Sequence, residues 1–172
     1  MSMTEALVKE FESESATTRR VLERVPTDRL SWKPHQKSMS LGTLAMHLAM
    51  GPGFITEWAL KDSMEMSGVG GGPPEPASTA DVLAAHDESV KKTKANLAQL
   101  GDAGLQKDWK LTTKEGATIM GMPKAALVRS IALNHFYHHR GQLSVYLRLL
   151  DVPVPSIYGP SADESPFGPP TH

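Results

Sequence analysis

Cysteine is absent from the 172 residues. That excludes thiolate metal ligands, a cysteine nucleophile and a dithiol redox centre within the chain. With no disulfide available the fold must rest on its core, and a domain of this size buries roughly 70% of the surface its unfolded chain exposes. The absence also fits a reducing cytoplasm. An excess of either charge is lacking too: 18 Lys and Arg stand against 19 Asp and Glu, a formal net charge of −1. No long basic run stands out, so nucleic acid is not expected as a partner. The opening MSMTEALVKEF lacks the cationic start and apolar run of a signal peptide. The longest apolar stretch, LGTLAMHLAMGPGFITEWAL, approaches the length of a membrane span. It carries His47, Glu57 and the triplet Gly51-Pro52-Gly53, so it reads as protein core and no membrane is expected. The expectation is one soluble, cytoplasmic domain over 1–172.

What is there is mostly helical periodicity. A first helix is expected from Ser2 to Val25, opened by a Ser2–Glu5 capping box and stopped by Pro26. A second runs from the N-cap Ser40 to Lys61, kinked or broken where Pro52 removes an N–H. A third follows Ser78 and Thr79 to Leu100, where Gly101 ends it. A fourth runs from Pro123 to Leu150. The glycines of SGVGGGPPEPAS lack the Gly-Lys-Ser/Thr ending of a phosphate loop and read as a flexible connection. Short extended pieces are expected around 110–113 and 117–120. The proline-rich tail from Val152 to His172 reads as extended and irregular, packed on or near the bundle. The fold class is therefore all-α, a four-helix bundle with irregular loops.

The segment NHFYHHRGQL places three histidines in five positions of the last helix. At about 100° per residue, His135 and His139 lie about 40° apart, one turn from each other, and His138 flanks His135 by about 60°. Val128, Ile131, Gln142, Tyr146 and Leu149 share that side, so the histidines point inward. Two histidines at four-residue spacing can converge on one ion. His135 with His138 at three-residue spacing is the other pairing. His47 stands on the apolar side of the second helix with Leu44, Leu48 and Ile55, and it too points inward. Ligands from facing helices meet in a bundle core. Three imidazoles with no thiolate suit Zn or Ni rather than calcium or magnesium, and three protein ligands leave a coordination position open.

SWKPHQKSMSLGTLAMHLAM followed far downstream by HFYHHRGQL resembles the DinB/YfiT-like family of small helical metalloproteins. The likeness rests on Trp32-Lys33-Pro34, on Ser40-Leu41-Gly42 leading to His47, and on His135, His139, Arg140, Gly141 and Gln142. YLRLLDVPVPSIYGPSADE extends it over essentially the whole chain. The resemblance implies a four-helix bundle, often a homodimer, with a metal on His47, His135 and His139. It implies one of two activities on a small-molecule substrate: transfer of a low-molecular-weight thiol such as bacillithiol or mycothiol, or metal-dependent hydrolysis. A non-catalytic, dimeric metal-binding protein linked to stress or damage is the alternative.

His138 then reads as a neighbour of the site or an acid/base, and Gln142 as a partner for a ligand imidazole. Arg140 is expected in a structural ion pair and Trp32 in the packing of its loop on the bundle. His35 and His86 are expected at the surface, and Met46 and Met50 beside His47 as candidate pocket residues. Tyr158, Asp163 and Glu164 of the tail are in reach of the site if the tail folds over it. No carboxylate stands one helical turn from a ligand on the last helix, so a general base is not evident.

Overall fold

A computed structural model describes residues 1–68 and 71–168. Four helical segments carry the fold: α1 (Met3–Leu22), α2 (Leu41–Leu60), α3 (Thr79–Leu105) and a last segment that changes character along its length. That segment opens with α4 (Lys124–Ala126), continues as a π-helix over Leu127–Asn134 and becomes α5 (His135–Leu149). The expected uninterrupted α-helix from Pro123 is therefore corrected, because the turns leading to His135 are wound more widely than α.

Each start has its cap. Ser2 Oγ accepts from the Glu5 N–H while the Glu5 carboxylate accepts from the Ser2 N–H, the reciprocal pair expected from the sequence. Ser40 Oγ accepts from the Thr43 N–H at α2, and Ser78 does the same for Asp81 at α3. α3 does not stop at Leu100: Gly101 takes φ +57° and a further turn follows. That turn places Asp102 over the start of α1, where its carboxylate accepts from the N–H groups of Met3 and Thr4 and from the Thr4 hydroxyl. Those bonds, with the Thr4 hydroxyl first, hold the Asp102 carboxyl below its ordinary range. Ion pairs Arg19–Asp87 and Lys94–Glu12 set α1 antiparallel to α3.

The all-α expectation misses a small sheet. β1 (Ser63–Glu65) pairs parallel with β2 (Asp108–Thr112), which pairs antiparallel with β3 (Thr118–Pro123). The extended pieces foreseen near 110–113 and 117–120 are the hairpin arms. Trp109 and Leu111 alternate inward along β2 and cover a cluster with Ile55, Leu97, Leu105 and Leu127. A second cluster joins Phe11, Leu22, Leu44, Leu48, Phe136, Leu143 and Leu147 from α1, α2 and α5. Each such fully buried side chain contributes on the order of 1.5–3 kcal/mol.

α2 does not break at Pro52; it is continuous from Leu41 to Leu60. Hydroxyls repair the backbone on one flank. The Gly53 N–H donates to Ser89 Oγ at 3.0 Å, Ser89 Oγ donates to the Met50 carbonyl, and Thr56 Oγ1 donates to the Pro52 carbonyl. A Cβ on Gly53 would stand 2.9 Å from Ser89 Oγ, so glycine is what lets α3 approach so closely.

The described part of the tail is irregular and is clasped to the bundle by Arg20–Glu164, Arg148–Asp163 and the Ser161 hydroxyl on the Val154 carbonyl. His172 and the prolines at 169 and 170 lie outside the described residues. Trp32 packs its loop onto the first cluster, edge-on to Tyr146 at 5.7 Å.

Candidate metal centre

α2 presents His47, and the first two turns of α5 present His135 and His139. The three rings meet at the bundle core. His47 Nε2 lies 3.3 Å from His135 Nε2, which lies 2.5 Å from His139 Nε2. All three candidate ligand atoms fall within 4.8 Å of one another, so the group can hold a metal ion. With every Nε2 in its acceptor form, three such nitrogens aimed at one point have no donor among them, and a cation there would serve all three.

Burial sets their charge state. Loss of solvent pushes the His139 imidazolium down to about 4, against the opposing pull of its bond to Gln142. His47 is lowered first by burial and then by His135. His135 is lowered by burial and then by His138, while the Ile131 backbone carbonyl favours its proton. All three are therefore neutral near pH 7, the form that ligates. Gln142 Oε1 lies 2.7 Å from His139 Nδ1. An amide oxygen there accepts a hydrogen bond from Nδ1–H, which keeps the proton on Nδ1 and leaves Nε2 with its lone pair directed at the centre.

A cavity of about 10 Å³ adjoins the rings, walled by Leu48, Gly51, Pro52, Ile131, Ala132 and Phe136. The glycine–proline interruption of α2 is thus a wall of the site. Met46 and Met50 are not. Met46 is buried elsewhere, and Met50 lines a separate hollow between α2 and α3 with Phe54 and Lys92.

His138 is exposed and stands outside the converging group, its ring 4.9 Å from that of His139. Arg140 behaves as foreseen. It is buried and its guanidinium reaches the Glu14 carboxylate at 2.6 Å, the Glu14 carbonyl and Thr18 Oγ1. Tyr137 and Tyr158 flank it, their ring centres 5.4 and 4.9 Å from the guanidinium carbon. Tyr158, Asp163 and Glu164 are engaged with Arg140, Arg148 and Arg20 rather than with the histidines. Glu57 pairs with Lys92. His35 is exposed as expected.

His86 corrects its expectation. It is 2% exposed on the inner side of α3, and its Nε2 has no partner among the described residues. The acidic run Asp87-Glu88 made it look superficial, yet Val82, His86, Ser89, Thr93 and Asn96 repeat at helical spacing and all are buried. That stripe was the available signal.

Helices packed around a three-histidine cluster define the class: a bundle protein able to bind a metal ion. The chain belongs to the DinB family, whose model matches residues 1–169. It is 26% identical over 158 residues to the uncharacterized protein YrdA of Bacillus subtilis, covering 91% of this chain and 89% of that protein. It is 29% identical over 153 residues to the uncharacterized protein YjoA of the same organism, covering 86% and 91%. The crystal structure of a DinB-like protein from Bacillus cereus shares the fold, with a TM-score of 0.70 and 22% identity over 90% of this chain and 97% of that one. No described helix is long and apolar enough to cross a membrane.

Proposed function

We propose that His47, His135 and His139 hold a divalent transition ion, zinc or nickel, and that the protein transfers a low-molecular-weight thiol to a small electrophile. The convergence of three neutral Nε2 atoms carries the reading. Such an ion would take up the sulfur of an incoming thiol as thiolate, its proton passing to solvent. The chain's own residues do the rest. The three imidazoles bind, Gln142 holds the His139 tautomer, and Leu48, Pro52, Ile131 and Phe136 keep the adjoining cavity apolar. Hydrolysis usually wants a carboxylate or histidine base beside the attacking water. The carboxylates of the tail are occupied by arginines, which supports thiol transfer over hydrolysis. The small cavity also supports a second reading, a metal-binding protein without turnover.

The test is metal content of protein purified without an affinity tag, for the native chain, His47→Ala and His138→Ala, followed by assay with bacillithiol or mycothiol and monochlorobimane. Near-stoichiometric zinc or nickel, lost in His47→Ala and kept in His138→Ala, with metal-dependent thioether formation and chloride release, is the expected result. Metal without any thioether product across the thiols would favour the non-catalytic reading. No metal after incubation with Zn²⁺ or Ni²⁺ would overturn both.

A further inference from the structure

The cavity beside the histidines has a buried floor, which includes Leu48, Phe136 and His139, and a half-buried rim. The rim is His47 and Gly51, one turn apart on α2, with Ile131 and His135, one turn apart on the last helical segment. Two of these four are candidate ligands, which leaves Gly51 and Ile131 as the lips of the approach from solvent. A Cβ added to Gly51 would meet nothing within 4 Å. One on Gly53 would meet Ser89, and one on Gly42 would meet Leu30 and Pro76. Gly51 takes no left-handed φ either. Glycine inside a helix is costly relative to alanine, and at Gly51 neither close packing nor a positive φ calls for it. Pro52 beside it disfavours a Cβ in the helical conformation, a local reason that applies equally to every side chain, whatever its size.

We infer that Gly51 is bare so that the carbon chain of a thiol held at the histidine site can pass over it, with Ile131 as the opposite lip. This rests on the thiol reading above. The cavity of about 10 Å³ is room for one heavy atom, the sulfur. The rest of the ligand lies outside it, in the space where a Gly51 side chain would stand. The carbon next to sulfur therefore runs between a naked backbone turn and an apolar side chain. That passage suits a primary thiol, whose first carbon is a slim methylene. Gly51 and Ile131 are then specificity-determining residues that set how large a group the sulfur can carry.

The experiment loads the full chain with Co²⁺ and follows its absorption spectrum during titration with hydrosulfide and, separately, with 2-mercaptoethanol. Both offer sulfur, and only the second carries a carbon chain. The readout is the mercaptoethanol-to-hydrosulfide affinity ratio in native protein, Gly51→Ala, Gly51→Leu and Ile131→Phe. Ile131→Phe narrows the same passage from the facing helix, away from Pro52. The expected result is a ratio reduced about tenfold or more in Gly51→Leu and in Ile131→Phe, with Gly51→Ala between them and native protein. An unchanged ratio in Gly51→Leu or in Ile131→Phe, with that variant folded and hydrosulfide bound, would overturn this inference alone. A loss as large in Gly51→Ala as in Gly51→Leu would assign the effect to a Cβ beside Pro52, which also overturns it. No sulfur-to-cobalt band with either probe in Co²⁺-loaded native protein would overturn the thiol reading and the inference with it. Absence of Co²⁺ binding to native protein would overturn the metal reading as well.

Discussion

Gln142 reaches back along α5 to place its Oε1 2.7 Å from His139 Nδ1. The contact lies across the same ring from the Nε2 that faces the other two histidines, and it fixes which nitrogen carries the proton. Partners of this kind are worth about 10- to 100-fold in metal affinity. Gln142→Leu is expected to weaken zinc binding by that order in a competition titration with a chromophoric chelator. Gln142→Glu, which keeps an oxygen acceptor there, is expected to retain it. Equal affinity in all three proteins would mean the amide is a bystander.

Acid should destabilise the metal-free protein. His139 and His86 both have folded-state values below the ordinary 6.5, chiefly through burial. The folded state therefore binds fewer protons than the unfolded chain as the pH falls, and stability decreases with it. The contribution is complete above about pH 6.5 and is lost progressively toward pH 4. Urea unfolding at pH 7.5 and pH 5 should show the lower midpoint at pH 5, and His86→Leu should flatten the difference. A midpoint independent of pH would contradict the buried, neutral state of these rings.

The approach of α3 to α2 predicts a coupled pair. Gly53→Ala drives a methyl against Ser89 Oγ and should cost about 1–3 kcal/mol. Ser89→Ala removes that oxygen, so the double variant should lose less than the sum of the singles. Additive losses in denaturant unfolding would show that the crossing relaxes by another route.

Arg140 is the buried charge on which α1, α5 and the tail converge. Arg140→Met leaves the Glu14 carboxylate facing the core side without its cation and should cost about 3–5 kcal/mol. Lys91→Ala, which removes an exposed pair with Glu88, should cost less than about 1 kcal/mol. Thermal unfolding of the two variants side by side measures the contrast.

The histidine geometry was legible because four-residue spacing and an inward face survive any detail of the fold. His47, His135 and His139 meet, the set that spacing allowed and the family resemblance singled out over His138, and Gln142 bonds the ring it was expected to approach. The sheet was half legible. The hairpin arms alternate, but β1 is three residues whose partner lies across the whole of α3. Helix α2 runs unbroken through Pro52 because the local cost is offset by Ser89 and Thr56, whose role depends on helix packing rather than on neighbours in sequence. His86 misled through its acidic successors, which turn outward to Arg19 and solvent while the ring turns in.

The π-wound stretch Leu127–Asn134 ends where α5 begins, at His135 itself. Its i→i+5 winding stores about one residue more per turn than the α-helix it continues. It therefore serves as slack in the chain's length. A sequence shorter by one residue between 127 and 134 can tighten to α winding there and still deliver His135 and His139 to His47 with their mutual spacing intact. The same loss between His135 and His139 would turn one ring about 100° away from the other. Length variation upstream of the pair is tolerable, and within it, disabling.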